Sequence, residues 1–155
     1  MDNWPGGSPT GFIGPVDNDT LYHDQGQDFM VVRLPSGQRS AQIYDSARTV
    51  QGRGNPITGE TVCLSPGQTD EDLNTGVDCG TVRVASVSWL DDNNFIIRGA
   101  EHDGISTREG DSGSPIYRVS GSSFAVALGI HDTHVGGFAK MSDALNALSG
   151  YRIYP

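Results

Sequence analysis

The chain has 155 residues, of which 35% are hydrophobic, and this is enough to bury one ordinary core. Its formal net charge of −9 argues against a nucleic-acid partner, because phosphate binding depends on an excess of Lys and Arg. No apolar run approaches the roughly 18 residues of a membrane span, and the first residues lack the basic and apolar regions of a signal peptide. We therefore expect a compact unit that binds neither nucleic acid nor a membrane.

Short apolar or alternating segments, bounded by Gly, Pro, Asn or Asp, recur along the chain and predict β-strands. They cover residues 12–16, 29–34, 41–44, 61–64, 81–90, 95–98, 116–119 and 124–130. The chain contains 21 glycines, which favours tight turns between short strands over long helices. These patterns predict an all-β barrel or sandwich.

Only the C-terminal region has a helical pattern. Ser142 is a candidate N-cap and Gly150 a candidate stop signal. Between them, helical spacing places one apolar face on Met141, Ala144, Leu145 and Leu148.

Two cysteines, Cys63 and Cys79, are too few for a four-thiolate zinc site. They form either one disulfide, which would indicate an oxidising compartment, or two buried free thiols. The acidic residues 70–78 between them are rich in turn-forming residues, so we interpret this stretch as a solvated loop rather than a calcium site. No metal ion or cofactor is predicted.

The most informative segment spans residues 109–115 and reads Glu-Gly-Asp-Ser-Gly-Ser-Pro, directly before a strand-like run. Small neighbours leave the hydroxyl of Ser112 exposed. The flanking glycines allow a tight turn that aims the backbone N–H groups of Gly110 and Ser112 at one point, where they could hold an oxyanion. A plain surface turn would have a similar composition. The complete pattern and its position before a strand favour acyl-transfer chemistry.

This segment resembles the chymotrypsin-like serine proteases, in which Gly-Asp-Ser-Gly-Gly-Pro or a close variant carries the nucleophile; Ser114 replaces the second glycine here. The stretches around Cys63 and Cys79 resemble the streptogrisin and alpha-lytic protease branch, in which these two cysteines are bonded. Residues 129–130 resemble the strand beside the specificity pocket. The resemblance implies a chymotrypsin-like antiparallel β-barrel with a short C-terminal helix, in a secreted endopeptidase that cleaves proteins or peptides.

The resemblance also implies a domain division. Residues 35–155 would form the C-terminal barrel, nearly complete, and residues 1–34 would be the last hairpin of an N-terminal barrel. In that hairpin Asp28 resembles the aspartate that orients the catalytic histidine, although an isolated Asp before a strand is usually a turn residue.

The catalytic base cannot be identified among the four histidines. None lies in a Thr-Ala-Gly-His-Cys context; we interpret His23 and His102 as exposed loop residues, and His131 and His134 as residues of the pocket wall. We therefore expect the chain to be truncated and inactive by itself, with the base in a missing N-terminal segment; this segment or a pro-region would be its partner. The alternative is a non-catalytic, protease-like binding domain.

By resemblance, Ser106 forms the floor of the specificity pocket and supplies no fixed charge for a basic side chain. His131 stands where glutamate-specific relatives place a histidine, which predicts a preference for acidic side chains. The other interpretation is a wall histidine that is hydrogen-bonded within its own barrel. A buried Asp111 would need a partner, for which Arg83 and Arg108 are candidates.

Overall fold

The computed structural model describes residues 16–19, 30–32, 41–43, 46–65, 77–90, 94, 96–132, 136–148 and 153. Strands dominate this part of the chain, which confirms the all-β prediction, and none of its helices is long and apolar enough to cross a membrane. The elements in chain order are β1 (Val16–Asp19), β2 (Met30–Val32), β3 (Thr49–Arg53), β4 (Thr61–Leu64), β5 (Asp78–Leu90), β6 (Ile96–Asp103), β7 (Pro115–Ser120), β8 (Phe124–His131), β9 (Gly137–Lys140) and α1 (Met141–Ala147).

The strands form two sheets. β1 and β2 pair antiparallel by themselves, and the other seven strands have the order β3-β8-β7-β4-β5-β6-β9. Because β8 also pairs with β9, six of these strands close into an antiparallel barrel. β3 lies parallel to the first half of β8, and β9 pairs with the second half. Closure removes most of the free strand edges.

Alternating side chains of the barrel strands point inward, as the period of a β-strand requires. These inward side chains form a buried apolar cluster. Burial of each of its larger members contributes about 1.5–3 kcal/mol, which makes the cluster the main source of stability. Its buried members are Val62, Leu64, Val82, Ala100, Ile116, Leu128 and Phe138.

The two cysteines occupy directly opposite positions of β4 and β5 and form a disulfide. This confirms the bonded alternative over two free thiols. The bridge joins residues 16 positions apart, a loop whose closure contributes about 3 kcal/mol in the chain-entropy description.

Several local predictions need correction. β3 and β9 were not predicted, and of the predicted strand at residues 41–44, of which 41–43 are described, only Gln42 makes an isolated β-bridge. Ser142 is not the helix cap, because α1 begins one residue earlier and its N-cap, Lys140, makes no side-chain capping bond. Instead, the Lys140 ammonium pairs with the Asp143 carboxylate at 3.0 Å. Most of the strand predicted for residues 12–16 lies outside the described residues.

Candidate active site

Two consecutive tight turns carry Ser112. The Asp111 N–H donates to the Arg108 carbonyl at 3.2 Å, and the Ser114 N–H donates to the Asp111 carbonyl at 3.0 Å. The third residue of each turn is a glycine with positive φ, 96° at Gly110 and 90° at Gly113. These are the features of type II turns, which need glycine at that position. The glycines on both sides of Ser112 are therefore required by the backbone geometry.

The turn is fixed to the end of β8 by a pair of backbone hydrogen bonds. The Gly113 N–H donates to the His131 carbonyl, and the His131 N–H donates to the Ser114 carbonyl, both at 2.8 Å. Ser112 itself is exposed, and its Oγ donates to the Asp132 carbonyl at 3.1 Å. The structure thus presents a solvent-accessible hydroxyl on a backbone that is tied to the neighbouring strand.

Asp111 is 1% exposed and lies between the two turns. Its Oδ2 accepts the Arg108 backbone N–H at 3.0 Å, whereas Oδ1 has no hydrogen-bond partner among the described residues. Arg83 was a candidate partner of Asp111, but its guanidinium forms an ion pair with Glu101 instead. Arg108 contributes its backbone to Asp111.

Two buried histidines lie beside this turn. His131 is 2% exposed at the end of β8, and His102 is 4% exposed on β6. Their ring centroids are 5.5 Å apart, and the Phe138 ring stacks on His102 at 6.3 Å with an interplanar angle of 22°. The sequence analysis interpreted His131 as a residue of the pocket wall but did not predict that it lies next to His102.

The prediction that His102 is an exposed loop residue is wrong. β6 continues to Asp103, and His102 is the register partner of Val82, whose side chain points into the core. The signal was present in the sequence, since Glu101 and Asp103 flank the histidine with the period-two alternation of a strand.

The hydrogen-bonding capacity of these histidines is largely unused. Nδ1 of His131 and both ring nitrogens of His102 are buried without a hydrogen-bond partner among the described residues. Burial, and to a smaller extent the neighbouring His102, lowers the pKa of His131 to about 4, and Asp111 opposes the shift. Burial also lowers the pKa of His102, against the opposing charges of Asp103 and Asp78. Both rings are therefore neutral at pH 7.

Ser106, which was predicted to form the floor of the specificity pocket, is exposed on the segment between β6 and the Ser112 turn. Its backbone N–H donates to Asp78 Oδ2 at 2.7 Å. Asp28, His23 and His134 lie outside the described residues. Within the described ranges, no group of three or more His, Cys, Asp or Glu residues could hold a metal ion.

The chain is similar to a glutamic-acid-specific serine protease described as using a histidine triad in substrate binding, with a TM-score of 0.62 and 22% sequence identity. The match covers 83% of this chain and 68% of that protease. The fold is chymotrypsin-like. At this identity, the likeness concerns the fold and not the activity.

Sequence comparison adds two curated relatives, both described as uncharacterized proteins of Mycobacterium tuberculosis, from strains CDC 1551 and H37Rv. Each is 27% identical over 126 residues, which is 80% of this chain. The chain spans about half the length of these relatives, 50% in each case. No protein-family model matches the chain.

Proposed function

We propose that the protein is a serine endopeptidase that cleaves peptide bonds through an acyl-enzyme on Ser112. The observation that carries this proposal is the exposed Ser112 hydroxyl in the second of two consecutive glycine-dependent turns, the one that is hydrogen-bonded to β8. A nucleophile needs access to substrate together with a preorganised backbone, and this segment combines both. The chymotrypsin-like fold is consistent with peptide binding.

In the proposed reaction, Ser112 Oγ attacks the peptide carbonyl carbon and gives up its proton to a general base. The backbone N–H groups of Gly110 and Ser112 hold the resulting oxyanion. When the intermediate collapses, the carbon–nitrogen bond breaks and the leaving amine takes the proton from the base. Water then attacks the ester by the same route and releases Ser112.

The general base is proposed to come from outside the described residues, with Asp28 orienting it. His102 and His131 are poor candidates for this role, because both side chains are buried and Ser112 Oγ donates to the Asp132 carbonyl instead. Without its base, Ser112 would retain only oxyanion stabilisation and substrate binding, so loss of the base is expected to remove nearly all activity. The disulfide is compatible with a secreted enzyme.

For specificity, we propose that His131 recognises an acidic side chain immediately before the scissile bond. His131 is buried at the wall next to Ser112, and the two are connected through the backbone bonds between His131, Gly113 and Ser114. Imidazole can hold a carboxylate by a charge-assisted hydrogen bond. The structurally similar protease is glutamic-acid-specific, which supports the same substrate class here.

The test uses the full-length protein with peptides that differ only in Glu, Gln or Leu before the cleavage site, and Ser112→Ala as the control. The proposal expects cleavage after Glu to be fastest and the Ser112→Ala protein to be inactive. Cleavage after Leu at the same rate as after Glu would refute the acidic preference. Binding of the peptides without any turnover would favour the protease-like binding domain instead.

A further inference from the structure

A carboxylate at the start of β5 holds the segment that leads to the Ser112 turn. Asp78 Oδ1 accepts the backbone N–H of Cys79 at 2.8 Å, and Asp78 Oδ2 accepts the backbone N–H of Ser106 at 2.7 Å. Ser106 lies 28 residues further along the chain, between β6 and the Ser112 turn. One side chain therefore uses both of its oxygens to connect two parts of the chain that are distant in sequence.

The position of Asp78 is fixed by the antiparallel pair of β4 and β5. Asp78 is the register partner of the buried Leu64, and it directly precedes the disulfide that joins the two strands. At the end of β4, the Ser65 N–H donates to the Pro115 carbonyl at 3.3 Å. Residues beside the disulfide thus hold the backbone both before and after the Ser112 turn.

The bond to Asp78 restrains the direction of the backbone at Ser106. The neighbouring Ile105 side chain packs against the buried core cluster, but apolar contacts are not directional. A hydrogen bond to a carboxylate is directional, and it is stronger than a hydrogen bond between neutral groups. Asp78 therefore supplies a directional restraint on the segment that precedes Ser112.

We propose that Asp78 is a positioning residue for substrate specificity, which holds the Ser106 backbone where the side chain before the scissile bond is received. This inference rests on the proposed endopeptidase function and on the predicted place of Ser106 at the floor of the pocket. The Ser112 turn has its own backbone bonds to β8, so loss of Asp78 disturbs recognition and not the chemical step. When only a fraction of the molecules keeps the binding-competent arrangement, KM rises by the reciprocal of that fraction.

Asp103 provides a matched control for the charge of Asp78. Its Oδ1 accepts the N–H of the adjacent Gly104 at 2.8 Å, a local bond that connects no distant parts of the chain. Both carboxylates oppose the lowering of the His102 pKa, so removal of either one takes a negative charge from the same region. A difference between the two substitutions therefore reports on the bond to Ser106 and not on charge.

The first experiment tests the contact without any substrate. Backbone hydrogen exchange is followed by nitrogen-15 NMR in the full-length protein and in its Asp78→Ala, Asp78→Asn and Asp103→Ala variants. We expect exchange at Ser106 to be about fivefold faster in Asp78→Ala, because a half-buried bond to a charged group is lost. Asp78→Asn retains one acceptor oxygen and should show a smaller increase; it serves as the test if Asp78→Ala does not fold. Equal exchange rates at Ser106 in all four proteins would overturn the proposal.

Kinetics with peptides that differ only in Glu, Gln or Leu before the cleavage site then test the role of this contact. For Asp78→Ala we expect KM for the preferred peptide to rise about fivefold, with kcat within about twofold of the wild-type value. The preference among the peptides should narrow, because the less favoured side chains gain less from a fixed pocket floor. Asp103→Ala should keep both constants and the preference. A purely structural role would lower kcat for every peptide by the same factor at unchanged KM, and that result would overturn the proposal.

These outcomes are separable from failure of the proposed function. If peptides are cleaved and Asp78→Ala leaves KM and the preference unchanged, the endopeptidase proposal stands and the role of Asp78 fails. If no peptide is cleaved, the endopeptidase proposal fails, and peptide affinity replaces KM as the measurement. Weaker binding by Asp78→Ala than by Asp103→Ala would then support the role of Asp78, and equal binding would overturn it.

Discussion

The Ser112 turn and the buried histidine layer, formed by His102, His131 and Phe138, touch the same strand but are built in opposite ways. In the turn, backbone groups are hydrogen-bonded and the side chain of Ser112 is exposed. In the histidine layer, side chains are packed and three ring nitrogens have no hydrogen-bond partner among the described residues.

This difference follows from what each region would do in the proposed enzyme. A nucleophile has to be reached by substrate, so its geometry must come from the backbone. A group that recognises charge is more selective when it is shielded from water, so its polar atoms are left for the ligand to engage. Unsatisfied polar groups cost folding free energy, and the rest of the barrel has to offset that cost.

The largest expected loss of stability comes from adding a side-chain atom to the closely packed contact between β8 and β9. A Cβ at Gly129, two residues before His131, would overlap the Ala139 carbonyl and lie 2.6 Å from Phe138 Cδ2. We expect Gly129→Ala to lower the free energy of unfolding by about 3 kcal/mol or more, measured by urea denaturation. Gly52→Ala is the matched control on β3, where a Cβ meets nothing within 4 Å. Equal stability of the two variants would contradict the close packing of β8 on β9.

The histidine layer should also make folding depend on pH. His131 has a folded-state pKa of about 4, against 6.5 for an unperturbed histidine. Its contribution to stability is therefore complete above pH 6.5 and is lost as the pH falls towards 4, because only the unfolded state binds the proton in that window. We expect a loss of about 3 kcal/mol over that range, at about 1.4 kcal/mol per pH unit.

Denaturation midpoints at pH 7, 6, 5 and 4.5 measure this slope, and His131→Phe removes the titrating group. The variant should show a shallower slope than the wild-type protein. Parallel slopes would mean that His131 does not have a lowered pKa in the folded state.

A smaller effect is expected in the turn. Gly113 has a φ of 90°, and a Cβ there meets nothing within 4 Å. Gly113→Ala should therefore cost only backbone strain, about 1–2 kcal/mol, in the same denaturation assay. A loss as large as that of Gly129→Ala would show that the turn is packed and not open, and would remove the contrast between the two regions.

The smallest change in stability is expected for Ser112→Ala. The side chain is exposed and donates a hydrogen bond to the Asp132 carbonyl. We expect the free energy of unfolding to stay within about 0.5 kcal/mol of the wild-type value, as for most surface substitutions. Destabilisation comparable to that of Gly113→Ala would indicate a structural role for this hydroxyl.

Sequence reasoning worked best where a local pattern determines the structure. The segment at Thr61–Leu64 is mainly apolar and is bounded by turn residues, and β4 has those same limits. The disulfide was also anticipated, as one of two alternatives. The glycines around Ser112 were expected to form a tight turn, and the positive φ at Gly110 and Gly113 agrees with that expectation.

The sequence-based predictions failed where contacts between distant parts of the chain determine the structure. β3 (Thr49–Arg53) is polar and depends on parallel pairing with β8, and β9 is only four residues long and depends on β6 and β8 on either side. His102 was missed because the strand prediction stopped at residue 98, whereas pairing with β5 extends β6 to Asp103. Proximity of His102 to His131 requires the closed barrel, which no local pattern encodes.

The central claim is that Ser112 is an activated nucleophile. Full-length protein and its Ser112→Ala variant are incubated with a fluorophosphonate probe, followed by intact mass and peptide mapping. The proposal predicts one label on Ser112 of the wild-type protein and none on the variant. An unlabelled Ser112 in folded full-length protein would contradict the endopeptidase proposal.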